Sequence, residues 1–164
     1  MCTVSGQAAK ITAKSASNSR SIYQVDFYAW TQKQAALLRE GRFNDLDVEN
    51  LVEEIESLGR SEKRELESRL KVLLIHLLKW QYQANKRDQH GHNWLATIRN
   101  QRTELRKLIR DNPSLKSHLD PAFSEAYQDA RYEAEAETAL PITTFPESCP
   151  YNMEQVLDAV WLPD

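Results

Sequence analysis

Leu66-Glu-Ser-Arg-Leu70-Lys-Val-Leu73-Leu-Ile-His-Leu77-Leu-Lys-Trp80 is the stretch whose reading decides the fold. Its large apolar residues recur in alternating steps of four and three, from Leu66 through Leu70, Leu73 and Leu77 to Trp80. That spacing is the seam of a helix packed among other helices. Between Val72 and Leu78 only His76 interrupts the apolar run, so this part is apolar nearly all round and belongs at the centre of a bundle. The run is far shorter than the roughly 20 apolar residues a bilayer span requires.

Glycine and proline mark the elements on either side. Gly41, Gly59 and Gly91 read as helix ends or loops, and Pro113, Pro121, Pro141, Pro146 and Pro150 as breaks or first turns. A first helix follows the N-cap Asp26 and stops at Gly41, with Phe27, Trp30, Gln34, Leu37 and Leu38 inward. A second runs from about Asp47 to Gly59, with Val48, Leu51, Val52, Ile55 and Leu58 on one face and acids on the other. The central helix starts behind Ser61 and reaches about Gln83. A fourth begins near Asn93 and stops before Asn112-Pro113, and a fifth starts at Asp120-Pro121 and fills residues 122–139. Asn152 then caps one short turn through Leu157. No period-two pattern persists long enough for a strand. The expectation is an all-α bundle of about five mostly antiparallel helices, with an irregular C-terminal segment.

Composition bounds the class. Of 164 residues, 41% are hydrophobic and 27% charged, which suits a globular chain and is too apolar for a disordered one. Cys2 and Cys149 form neither a disulfide framework nor a zinc pattern, which points to a reducing, cytoplasmic setting. Lys10, Lys14 and Arg20 precede no apolar segment of a secretory signal, so residues 1–21 read as a flexible tail before a single helical domain over residues 22–164. Charge alternates along the chain. Residues 45–57 carry six acids and no base, residues 94–110 carry five bases against Glu104, and residues 120–137 are acidic again.

Several strings carry a resemblance when taken together: Asp26-Phe-Tyr-Ala-Trp30, Gly41-Arg-Phe43, Asp47-Val-Glu-Asn-Leu51, Glu53-Glu-Ile-Glu56, Leu58-Gly59, His76-Leu-Leu-Lys-Trp80, Thr97-Ile-Arg99 and Asn112-Pro-Ser-Leu115. In this order the chain resembles the bacterial family DUF29, from Tyr23 to Asp164. The resemblance implies an all-helical fold and brings no activity, cofactor or catalytic residue.

The residues themselves offer three candidate sites. There is no phosphate-binding loop, no nucleophile elbow and no His-Glu-x-x-His or Glu-x-x-His pair, so nothing in the sequence points to a cofactor. His76, buried by its neighbours, is a candidate base with Glu53, Glu54 or Glu65, against a structural role as a hydrogen-bonded core imidazole. Asp88, His90 and His92 are candidate metal ligands if their loop is extended. Arg99, Arg102, Arg106 and Arg110 line up at steps of three, four and four as a basic ridge for nucleic acid, with Trp80 and Trp94 nearby for stacking. The pI of 5.8 argues against a dedicated nucleic-acid protein, and the acidic helices are expected to pair with the ridge. The resulting reading is a helical module for a protein partner or for self-association.

Overall fold

The computed structural model describes residues 22–164, and among them there is helix and no strand. The tail expected over residues 1–21 lies outside the described residues. The chain divides between Leu58 and Gly59 into two compact units.

In the first unit, residues 22–25 are helical and lead into α1 (Phe27–Arg39). Asp26 caps it, its Oδ1 accepting the Ala29 N–H at 2.9 Å. The end is a Schellman motif. Gly41 takes φ +70°, its N–H reaches the Leu38 carbonyl, and the Arg42 N–H reaches that of Leu37. A 3₁₀ turn, Phe43–Asp45, brings the chain to Asp47, whose carbonyl receives the Leu51 N–H at the start of α2 (Val48–Tyr82). Tyr23 bonds Glu54 while Trp30 bonds Asp47, so partner numbers fall as α1 advances and the two helices run antiparallel.

α2 is one continuous helix of 35 residues, which corrects the expected break at Gly59 and the expected cap at Ser61. A helical glycine costs about 1 kcal/mol relative to alanine. No proline accompanies Gly59, and its φ, unlike that of Gly41, is not positive. With helix already propagating from both flanks, that cost does not stop it.

In the second unit, α2 from Gly59 onward packs with α3 (Arg87–Asp111) and α4 (Leu119–Thr138). Glu62 meets Asn112 and Arg69 meets Gln101, so α2 and α3 are antiparallel. Lys71 pairs with Glu133 and Lys79 with Glu137, so α2 and α4 are parallel, as an up-down-up arrangement requires. Leu66, Leu70, Leu73, Leu74, Leu77 and Leu78 are wholly buried against Ile98, Leu105, Tyr127 and Ala130. The expected core stripe is therefore found from Leu66 to Leu77, while Trp80, its last member, is half-buried and outside the core.

Residues 140–164 hold few helical turns but are firmly attached. Phe145, Tyr151 and Val156 are buried in the core. Tyr127 donates to the Pro146 carbonyl at 2.7 Å and Tyr151 to Gln81 at 2.6 Å. The expected cap at Asn152 is present as a reciprocal capping box with Gln155, opening α5 (Met153–Leu157).

Candidate functional site

The first unit combines a small buried polar network with a large exposed apolar face. Asp47, buried between α1 and α2, accepts the Trp30 indole N–H at 3.2 Å and the Asn50 amide at 2.7 Å. Its own N–H is received by Gln34 Oε1 at 2.9 Å. That bond fixes the orientation of the Gln34 amide and leaves its buried Nε2 without a partner among the described residues. Tyr23 packs edge-on against Phe27 and Trp30 and donates to Glu54 at 2.5 Å. The Glu54 carboxylate pushes the phenol up to about 12 by favouring its protonated form.

Beside this network lies a groove of about 310 Å³. Phe27, Trp30 and Leu38 of α1 and Leu51, Ile55 and Leu58 of α2 line it, with Gln34 and Glu54 among its few polar residues. Among the described residues, every large hydrophobic left exposed, apart from Tyr132 and Val160, belongs to this unit. Periodicity places Val48, Val52, Ile55 and Leu58 on one face correctly. What it misses is that no described residue of the unit covers that face, and Phe27 and Leu38, read as inward, are exposed as well. A two-helix hairpin has one layer fewer than a core requires.

Of the candidates named from sequence, Glu54 lines this groove and the others lie outside its lining. Glu53 and Glu54 belong to the first unit and His76 to the second. His76 donates from Nδ1 to the Val72 carbonyl of its own helix at 2.8 Å, and burial lowers its pKa, so it sits as a neutral, register-holding imidazole. Glu65 is eleven residues away, about 17 Å along the helix axis. Arg69 holds its carboxylate at 2.8 Å.

Asp88, His90 and His92 are not in an extended loop. α3 begins at Arg87 and includes them, which puts His90 and His92 roughly 200° apart around the axis. His90 stacks on Trp94 instead. Gly91, read as a break, is a helical residue packed on Trp80. No cluster of three or more metal-binding side chains exists among the described residues.

The arginine ridge is broken in its middle. Arg102 is 2% exposed. It donates to the carbonyls of Val156 and Trp161, each at 2.8 Å, tying the C-terminal segment to α3. Arg106 donates to the Arg102 carbonyl and Arg110 to Asp111, while Arg99 stays exposed. The expected pairing of this ridge with the acidic α4 is therefore corrected: α4 finds its cations on α2, at Lys71 and Lys79. Nor are the tryptophans open for stacking. Trp94 is buried, and Trp80 lies under the Arg87 guanidinium, 4.9 Å from the ring centre. Sequence alone does not reveal which arginine turns inward, because its partners are backbone carbonyls more than fifty residues away.

Cys149 has no disulfide partner among the described residues, and burial pushes its thiol up to about 11, which makes it a poor nucleophile. No helix among the described residues is long and apolar enough to cross a membrane.

No curated protein and no solved structure matches the chain. A family model described as "Domain of unknown function DUF29" matches residues 22–162, taking in both units and the strings that carry the resemblance. The protein belongs to the DUF29 family.

Proposed function

We propose that the protein is a cytoplasmic helical interaction module, without chemistry of its own, whose docking surface is the groove of the first unit. The observation that supports this reading is the concentration of exposed apolar side chains there, on a hairpin over which no described residue lays a covering layer. The occupant that fits is the apolar face of an amphipathic helix from a protein partner, laid against α1 and α2. Its flanks are basic, because residues 45–57 carry six acids and no base, Glu53 and Glu54 on α2 among them. The same charge disfavours a second copy of this hairpin as the occupant.

Burying a side chain such as Ile55 or Leu58 contributes about 1.5–3 kcal/mol, roughly 10- to 150-fold in affinity. Calorimetric titration with a helical peptide bearing leucines on one face and lysines beside them is expected to give a micromolar dissociation constant. Ile55→Asp is expected to abolish binding while leaving the melting curve intact. An acidic peptide with the same leucines should bind far more weakly. Equal binding of the two peptides, an unaffected Ile55→Asp variant, or a stable dimer formed through this face would overturn the reading.

A further inference from the structure

The second unit carries a cleft of about 620 Å³ at the far end of α3. Its floor is apolar, made by Ile109, Pro113, Leu119 and Leu157. Its rim holds Arg106, Arg110 and Lys116, and no carboxylate lines it. Volume in this range, with an apolar floor and a few converging polar groups, is the usual form of a binding site.

The cleft is built from fixed parts. Leu157 is delivered by α5, whose start is locked by the capping box of Asn152 and Gln155. The chain around Leu157 is held by buried Arg102, through the carbonyls of Val156 and Trp161. Arg106 is anchored at Nε by the Arg102 carbonyl, which leaves the end of its guanidinium on the rim. Pro113 and Lys116 come from the 3₁₀ turn Pro113–His118, set by Leu115 in the core. Two nearby acids are already engaged: Asp111 with Arg110, and Asp158 with the backbone N–H groups of Val160 and Trp161. The Arg110–Asp111 pair is exposed and contributes little, so it yields readily to a competing carboxylate.

We infer that this cleft docks an acidic amphipathic segment of a protein partner, its apolar residues on the floor and its carboxylates against Arg106, Lys116 and Arg110. Charge complementarity selects the occupant: three cations surround four apolar residues and no acid. Nucleic acid is the poorer fit, because Arg102 is withdrawn from the ridge, the tryptophans are covered, and the cleft offers a stacking ligand no aromatic ring. The site is independent of the groove in the first unit and opposite to it in charge.

Fluorescence anisotropy with a labelled helical peptide carrying leucines on one face and glutamates beside them tests this on the full chain. Micromolar binding that weakens with added salt is expected. Exchanging Arg106 and Lys116 for glutamate should weaken it at least about tenfold. Lys116→Glu alone, on an exposed turn, should weaken it measurably and guards against misfolding of the double variant. The first-unit variant Ile55→Asp should leave this binding unchanged. The inference is overturned if the lysine-bearing isomer binds equally, if the charge exchanges have no effect, or if a single-stranded oligonucleotide displaces the peptide at lower concentration. It is also overturned if sedimentation shows the cleft occupied by a second copy of the chain.

Discussion

Leu58 and Leu66 lie on the same unbroken helix, yet the first is 69% exposed and the second not exposed at all. Both belong to apolar stripes of helical period. What differs is the surrounding layer. From Gly59 onward α2 is enclosed by α3, α4 and the C-terminal segment, whereas in the first unit its neighbour among the described residues is the helical chain of residues 22–39. An amphipathic stripe identifies a face that seeks cover, and the topology decides whether the chain supplies it. Where it does, the stripe is core. Where it does not, it is a candidate surface for something else.

The largest effect that would break this contrast is in stability. Leu73→Ala, in the closed core, is expected to cost about 2–5 kcal/mol. Leu58→Ala should stay within about 0.5 kcal/mol, as a change at an exposed position does. Denaturant melts of the two variants decide it, and similar losses would mean that the two stripes are buried alike.

Arg102→Met comes next. It keeps the volume but strips charged donors from the carbonyls of Val156 and Trp161. Hydrogen bonds to charged groups contribute about 1.5–3 kcal/mol. A loss of about 2–3 kcal/mol is expected, with faster amide exchange in residues 153–162. A neutral result would mean that the C-terminal segment holds without this tie.

A smaller effect sharpens the first unit. Tyr23 is raised to about 12 from an ordinary value of 10, first by its hydrogen bond to Glu54. Folding then favours the neutral phenol, so this contribution is complete below pH 10 and is lost as pH rises toward 12. The difference in phenolate absorbance between wild type and Tyr23→Phe should titrate near 12. In Glu54→Gln it should move back toward 10. An ordinary midpoint in the wild type would dissolve the pair.

The fold was largely legible because helical period, the Asp26 cap, Gly41 and the Asn152 capping box are local signals. Gly59 misled because glycine marks an end only where a left-handed residue is needed, and neighbouring turns outweigh its cost inside a helix. Gly91 misled in the same way. The sites were far less legible. Arg102 and Arg106 look alike in sequence, yet one is buried on carbonyls from the C-terminal segment and the other rims a cleft. His76 was visible as an imidazole in an apolar run, and it is half-buried, but its partner is the carbonyl four residues back, a bond any helix can offer. The groove of the first unit was hidden because exposure of an apolar face depends on which elements are missing.

Amide hydrogen exchange, with and without the basic amphipathic peptide, tests the central claim most directly. The account predicts added protection over residues 27–38 and 51–58 and none at the core positions from Leu66 to Leu78. Protection spread over the second unit, or no change in the first, would contradict it.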